Sequence, residues 1–288
     1  MELDQELDAL QKGGLGVAAL SYDSVALLEE FATRRKVRYP LLSDPGSVVI
    51  RRFGVLNPDI PKGTMAHGVP LPGTLVTDAR GLVRTKFFEK GYAERRTAAS
   101  FLVLEGESPM GVTSEVRTDH FLLRLSQSNA KVTAGNRVSL VLELSMGETK
   151  HAYAPGVQGY RPLALHLDAE PLVTVHAPVY PVPRDYVYAP LEETVPVFEG
   201  RFRVLQDVTL AGGREVAERL RSGDATLRVT GRLDYQVCSD RVCYPPASLP
   251  VSWALNLVPL DQERSPEALR PKAVAPRAGP RRRVTGSR

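Results

Sequence analysis

The reactive side chains of this sequence that could carry redox chemistry are its two cysteines, Cys238 and Cys243. A dithiol of this kind can cycle between one disulfide and two thiols, and its thiolate form attacks other disulfides. Two cysteines are too few for a disulfide-dense scaffold. The five histidines have no metal-like spacing, so we expect no metal site and no cofactor. We expect each histidine to be structural or solvent-facing.

The residues around the cysteines predict a β-hairpin. Residues 227–237 alternate in the manner of a long strand, and residues 239–242 (SDRV) form a four-residue connection. Directly opposed residues of such a hairpin lie about 4.5–5.5 Å apart between Cα atoms. A disulfide accepts Cα separations of about 4.4–6.8 Å, so Cys238 and Cys243 can be bridged. The spacing alone leaves open both a redox-active pair and a purely structural disulfide.

The patterning of the 288 residues predicts two domains of different class, α/β followed by all-β. Residues 1–105 alternate helices and strands in the order α-β-α-β-α-β-β-α, with the last helix over residues 93–104, which indicates a mainly parallel sheet with one hairpin. Residues 119–260 contain short alternating strands between Pro/Gly-rich connections, which is typical of a β-sandwich. We expect strands over residues 120–126, 138–144, 198–210 and 249–258, a surface loop over 176–197 and, near 214–221, the one stretch with a helical period. We expect residues 106–118 to be a linker and residues 261–288 to be a disordered basic Pro/Arg tail.

The basic character of the chain belongs to its end. Residues 261–288 carry eight Arg/Lys and three Asp/Glu, so with a total of +4 the rest of the chain has a net charge of −1. We therefore expect no nucleic-acid partner. No apolar run approaches the length of about 18 residues that a membrane span needs. Residues 1–12 are acidic and amphipathic, unlike a signal peptide.

About the first hundred residues resemble the redoxin group, meaning the AhpC/TSA peroxiredoxins and related thioredoxin-like proteins. The segments LGVAALSYDS, YPLLSDPGSVVIRRFGVLN and PLPGTLVTDARGLVRTKFFE carry this resemblance. It implies a thioredoxin-like fold whose reactive cysteine follows the first strand. The sequence lacks the segment that matches this strand, and residues 1–237 contain no cysteine. Either the natural start lies upstream of Met1, or the domain is degenerate. Pro72 matches the position of a cis-proline in such folds, and cis and trans both remain open.

Roughly residues 115–260 resemble the N-terminal periplasmic domain of the thiol:disulfide interchange protein DsbD, an immunoglobulin-like sandwich with one redox-active cysteine pair. The segments HAYAPGVQGYRPLALHLD, HAPVYPVP, ETVPVFEGRFRVLQDV and DYQVCSDRVCYPPASLPVSW carry the resemblance. It implies that Cys243 bonds to partners and that Cys238 resolves the mixed disulfide. It also implies a periplasmic or other extracytoplasmic location, although the lack of an export signal leaves a cytoplasmic one open.

The resemblance further implies that an aromatic-bearing cap loop shields the pair until a partner binds. Our candidate cap is residues 176–188, and the alternative is that its tyrosines simply pack a long loop. Near the pair, Arg241 would favour a thiolate and Asp240 would oppose one. The residues that we expect to support the two cysteines, or to form the cap, are Tyr153, Tyr160, Tyr180, Tyr186, Tyr188, Tyr235, Asp240 and Arg241, together with Pro72 of the first domain.

These observations predict a thiol–disulfide oxidoreductase, or electron-transfer protein, that uses Cys238 and Cys243. Its partner would be a protein with a dithiol or a disulfide. One alternative is a thiol peroxidase with antioxidant function, whose catalytic cysteine is absent from this chain. Another is a non-enzymatic immunoglobulin-like binding module with a degenerate redoxin domain. A redoxin cysteine upstream of Met1 that exchanges electrons with the pair is a further hypothesis.

Overall fold

The computed structural model describes most of the chain and divides it into two compact units. One unit comprises residues 1–16 and 72–261, and the other comprises residues 17–71 and 262–288. The predicted tail lies outside the described residues except for Pro266. The described residues are 2–64, 67–88, 94–104, 106, 112–188, 193–260 and 266.

The N-terminal part alternates helices and strands as the sequence predicts, with shorter elements. In chain order these are α1 (Glu2–Gln5), α2 (Leu7–Lys12), β1 (Ala19–Ser21), α3 (Val25–Arg35), β2 (Leu41–Ser43), α4 (Val48–Arg52), β3 (Gly73–Thr77), β4 (Val83–Phe88), β5 (Arg95–Arg96) and α5 (Ala98–Leu104). Helix α3 begins where the Ser24 hydroxyl accepts a hydrogen bond from the Leu27 N–H. It ends where Lys36 adopts the left-handed conformation, with a φ of 54°.

The prediction of a single, mainly parallel sheet is wrong for the described residues. Strand β1 pairs in parallel with β2, and β3 pairs antiparallel with β4, so each pair is a two-stranded sheet. Strands β1 and β2 have only three residues each, and no described strand extends their ladder. The predicted hairpin between β3 and β4 is confirmed. Its turn is fixed by Asp78, whose Oδ1 accepts from the Arg80 N–H at 2.9 Å.

The C-terminal part is built almost entirely from strands, as predicted. In chain order its elements are β6 (Val112–Arg117), β7 (Phe121–Gln127), β8 (Lys131–Val132), β9 (Asn136–Met146), β10 (His151–Tyr153), β11 (Ala164–Leu167), β12 (Val173–Val175), β13 (Arg184–Tyr188), β14 (Glu193–Glu199), β15 (Arg201–Leu210), α6 (Arg214–Ser222), β16 (Thr226–Tyr235), β17 (Val237–Cys238) and β18 (Ala247–Leu257).

Two sheets share the main hydrophobic core of this part. One sheet has the strand order β12-β15-β9-β7-β6, with β5 beside β9, and the other has the order β11-β16-β18-β8. Leu123 and Leu140 of the first sheet, and Leu227 and Trp253 of the second, are at most 1% exposed in one cluster. Trp253 is a core residue, and its indole N–H donates to the Ser126 carbonyl at 2.9 Å. Burial of these faces makes the part a β-sandwich.

The boundary between the predicted domains is not a free linker. Residues 112–117, expected within a linker, form β6 and pair antiparallel with β7. The helix expected over residues 93–104 begins only at Ala98, because Arg95 and Arg96 form β5 and pair with β9. Helix α5 then buries Val103 against the outer face of the six-stranded sheet. Its apolar side is therefore covered by the sandwich. The domain boundaries themselves stay a prediction.

A third sheet, with the order β13-β14-β10-β17, carries the cysteine region. Residues 176–197 were expected to be a surface loop, but β13 and β14 pair antiparallel there. The strand expected over 198–210 is in fact two strands, because the chain bends at Gly200, which has a φ of 62°, and β14 and β15 pair in different sheets. Strand β10 lies between β14 and β17, and it therefore connects the cysteine hairpin to the β13–β14 hairpin.

Candidate functional site

The two cysteines form a disulfide across a tight hairpin. Their Cα atoms lie 4.0 Å apart, and the residues face each other in an antiparallel bridge. Ser239 holds the turn: its N–H donates to the Val242 carbonyl at 2.8 Å, and its hydroxyl accepts from the Val242 N–H at 3.0 Å. The Tyr244 N–H donates to the Val237 carbonyl at 2.9 Å on the other side of the bridge. The hairpin thus presets the geometry of the pair.

The two sulfur-bearing residues differ in access to solvent. Cys238 is only 1% exposed, because it ends the short strand β17 and packs in a cluster with Tyr153, Val195 and Val197. Cys243, by contrast, is exposed. A partner's thiolate therefore reaches Cys243 more readily, and Cys238 becomes the leaving sulfur in such an attack.

A tyrosine hydroxyl lies against both sulfurs. The Tyr153 Oη is 3.0 Å from the Cys238 Sγ and 3.6 Å from the Cys243 Sγ. A disulfide sulfur carries no hydrogen, so the hydroxyl is the donor in this state. Burial raises the pKa of Tyr153 well above its ordinary value, as do the nearby Tyr160 and Glu193. The hydroxyl therefore keeps its proton and can donate to a thiolate at any pH where exchange occurs.

Tyr153 is held in place by its neighbours. Its ring stacks on that of Tyr160, with centroids 4.2 Å apart. The Tyr160 hydroxyl donates to Glu193 Oε2 at 2.8 Å, and this hydrogen bond is the main reason why the pKa of Tyr160 is raised. The carboxylate thus fixes one ring, and the stacked pair fixes the direction of the Tyr153 hydroxyl.

His151 completes the cluster from strand β10. It is 2% exposed and lies opposite Cys238 in the β10–β17 ladder. Its ring meets the Tyr153 ring edge-on at 5.6 Å and lies 4.3 Å from the Tyr186 ring. Burial lowers the pKa of His151, against a smaller opposite effect of the Glu199 charge. The imidazole is therefore neutral at pH 7.

The exposed side of the hairpin carries charge. Lys150 Nζ lies 5.5 Å from the ring centroid of Tyr244, the residue after Cys243. The two supporting residues expected in the turn pair with each other, since Arg241 Nε is 3.8 Å from Asp240 Oδ2. An exposed ion pair of this kind contributes only about 0–1 kcal/mol to stability.

Family comparisons describe both halves of the chain. Residues 119–251 match the model of "Thiol:disulfide interchange protein DsbD, N-terminal", and residues 1–86 match that of the AhpC/TSA family. The chain joins an AhpC/TSA domain to a DsbD N-terminal domain. Both matches support a role in thiol–disulfide interchange. No curated protein sequence matches the chain.

Solved structures of low identity are similar to about half of the chain. The reduced N-terminal domain of Neisseria meningitidis DsbD is 16% identical, with a TM-score of 0.31, over 48% of this chain and 86% of that one. The N-terminal periplasmic domain of ScsB from Proteus mirabilis is 15% identical, with a TM-score of 0.35, over 50% of each chain.

The structure brings some of the expected supporting residues to the pair and places others elsewhere. Tyr153 and Tyr160 lie at the pair in the DsbD N-terminal domain. Tyr235 lies in the main core, edge-on to Phe121 at 4.9 Å, and Tyr180 also packs against that core. The peptide bond before Pro72 is trans, since the described residues contain no cis peptide bond. Pro72 directly precedes β3.

Part of the candidate cap reaches the site. Tyr186, on β13, packs against the cluster around Cys238 and contacts His151. Tyr188 is the last residue of that strand and is half-buried. Residues 189–192, between β13 and β14, lie outside the described residues. The cap therefore remains a prediction, and its nearest described aromatic residue is Tyr186.

His151 is the residue that sequence reasoning missed, because all histidines were expected to be structural or solvent-facing. A local signal was present: His151 precedes Tyr153 by two residues, and such residues of a strand share one face. Its burial and its position opposite Cys238 depend on non-local strand pairing, which the sequence did not reveal.

Among the described residues, no helix is both long and apolar enough to cross a membrane.

Proposed function

We propose that this protein is a thiol–disulfide oxidoreductase that exchanges electrons with a partner protein through Cys238 and Cys243. The observation that carries the proposal is the asymmetry of the pair. Cys243 is exposed at a hairpin, whereas Cys238 is 1% exposed and has the Tyr153 hydroxyl 3.0 Å from its sulfur. One sulfur is thus accessible to attack, and the other has a donor ready to stabilise it as it leaves.

The exchange proceeds in two steps. A partner thiolate attacks Cys243 Sγ, the Cys238–Cys243 bond breaks, and Cys238 leaves as a thiolate that accepts a hydrogen bond from Tyr153. A second partner thiol, as its thiolate, then attacks the partner sulfur of the mixed disulfide and releases Cys243. The pair gains two electrons and the partner dithiol becomes a disulfide. All steps are reversible, so the reduced pair can reduce a substrate disulfide.

The partner in this proposal is a protein with a dithiol or a disulfide, and the working place is outside the cytosol. Disulfides form and persist in such oxidising compartments. We further propose that residues 119–260 form the redox domain and residues 1–105 the redoxin domain. The first 237 residues carry no cysteine, and peroxide reduction of the AhpC/TSA type uses a thiolate.

Two matched variants test the roles of the cysteines with oxidised glutathione as the probe. Cys238→Ser leaves the exposed Cys243, and we expect it to form a stable mixed disulfide with glutathione. Cys243→Ser leaves the buried Cys238, and we expect it to react at least about tenfold more slowly, because access limits exchange. Intact mass spectrometry over time measures both reactions.

The possible results separate the alternatives. If Cys243→Ser reacts faster than Cys238→Ser, then Cys238 is the cysteine that bonds to the partner and Cys243 is the leaving sulfur. Failure of both variants to react, with both still folded by circular dichroism, would overturn the redox function and favour the binding module.

A further inference from the structure

His151 is a buried side chain next to the disulfide that the proposed exchange steps do not use. Three strands bring Glu199, His151 and Cys238 into one row, because His151 is the ladder partner of Glu199 on β14 and of Cys238 on β17. Directly opposed residues of antiparallel strands share one face, with Cβ atoms about 4.5–5.5 Å apart. The imidazole is thus the side chain directly beside Cys238, with a carboxylate on its other side.

One ring atom of His151 lacks a partner in the oxidised protein. The side chain is 2% exposed, and its Nδ1 has no hydrogen-bond partner among the described residues. A buried polar atom without a hydrogen-bond partner lowers the stability of the folded protein. A purely structural role does not account for this cost, since a phenylalanine could pack against Tyr186 and Tyr153 without it. Reduction of the disulfide would supply a donor, the Cys238 thiol, that the oxidised pair lacks.

The charges around His151 suit a proton acceptor. The described groups that face it are Glu199 from β14, Cys238 from β17, Tyr186 from β13 and Tyr153 from its own strand. Burial keeps the imidazole neutral at pH 7 by lowering its pKa, while the Glu199 charge favours the imidazolium once it forms. A nucleophile beside a base, with a third group beyond the base, is the general arrangement of activated nucleophiles.

We propose that His151 accepts the thiol proton of Cys238 when the reduced pair resolves a mixed disulfide. In this step Cys238 loses its proton to His151, its sulfur attacks Cys243 Sγ, the Cys238–Cys243 bond forms, and the partner leaves as a thiolate. In the reverse direction the imidazolium returns the proton to Cys238 as the disulfide opens. No electrons pass through His151. This inference rests on the proposed function, in which Cys243 holds the partner.

The test measures closure of the disulfide in a single turnover. The reduced full chain reacts with 5,5′-dithiobis(2-nitrobenzoate), which loads Cys243 and releases one coloured thiolate. Attack by Cys238 then releases a second. We expect His151→Gln to slow the second release about 100-fold at pH 7, since general-base catalysis contributes about 10²–10⁴. We also expect the rate of the second release to rise tenfold per pH unit in His151→Gln, whereas the same rate in the wild type levels off near neutral pH.

Controls separate chemistry from folding. His166→Gln makes the same change at a half-exposed histidine on β11, and we expect wild-type closure. His151→Phe keeps an aromatic ring against Tyr186, so it provides a second variant if His151→Gln fails to fold. Circular dichroism and a count of two free thiols after reduction establish that each variant is comparable.

Equal closure rates and parallel pH profiles for the wild type and a folded His151 variant would overturn the proposal. A variant that only lowers the melting temperature, with an unchanged pH profile, would overturn it as well and leave His151 a packing residue. Closure is measurable whatever the reduction potential of the pair. A pair too stable for exchange would therefore refute the proposed function without deciding the role of His151.

Discussion

Removal of one hydroxyl at the disulfide gives a prediction whose size follows from the structure. Tyr153→Phe keeps the stacked ring but removes the donor that lies 3.0 Å from Cys238 Sγ. A hydrogen bond to a charged group contributes about 1.5–3 kcal/mol, compared with about 0.5–1.5 kcal/mol for a neutral one. The hydroxyl therefore stabilises a leaving thiolate more than it stabilises the disulfide.

The expected change in rate depends on how much charge has developed on Cys238 in the transition state. We take this fraction to be about half, similar to the coefficient of about 0.4–0.5 known for attacking thiols. The barrier to opening then rises by half of the difference between the charged and the neutral hydrogen bond, which is about 0.5–0.8 kcal/mol. At about 1.36 kcal/mol per factor of ten, Tyr153→Phe should be reduced by dithiothreitol about 2- to 4-fold more slowly at pH 7.

Acid-quenched time courses with thiol labelling and mass spectrometry measure this rate. Tyr235→Phe is the matched control, because Tyr235 is a buried tyrosine of the same domain that packs in the main core beside Phe121. We expect its reduction rate to stay within about 1.5-fold of the wild type. The reasoning is refuted if Tyr153→Phe also stays within that range, or if Tyr235→Phe slows equally.

The remaining predictions concern Asp207, whose Oδ2 accepts hydrogen bonds from Arg96 and, at 3.2 Å, from Arg137. Burial would raise its pKa, but the hydrogen bonds from Arg96 and Ser139 outweigh it and lower the pKa. A lowered folded-state pKa gives stability that is present above the unfolded value of about 3.9 and is lost as pH falls through the folded value. Asp207→Asn should cost about 3–5 kcal/mol at pH 7, because it leaves buried Arg96 without its anion. The free energy of unfolding of Asp207→Asn should also fall less steeply than that of the wild type below about pH 4. Urea midpoints of the variant and the wild type that fall in parallel with decreasing pH would contradict this.

The parts of the fold that local patterns determine were predictable from the sequence. The spacing of Cys238 and Cys243 around a four-residue connection predicted the hairpin, and alternation predicted β7, β9 and β18. The helix expected near residues 214–221 is α6. These features depend on residues close together in the chain, so composition and periodicity carry the information.

The parts that depend on distant pairing were not predictable. A Pro/Tyr-rich stretch suggested a loop, yet β13 is stabilised by its ladder with β14. Residues 112–117 lie in a stretch that was expected to be a linker, yet they form a strand because they pair with β7. His151 shows the same limit at the site, because only the pairing of β10 with β14 and β17 places it beside Cys238.

The reduction potential of the Cys238–Cys243 pair tests the central claim most directly. The full chain is equilibrated in glutathione and dithiothreitol redox buffers, and its free thiols are counted by alkylation and mass spectrometry. The proposed exchange function predicts a potential of about −180 to −270 mV, the range of known exchange proteins. A potential below about −300 mV would make the bond a structural staple and contradict the account.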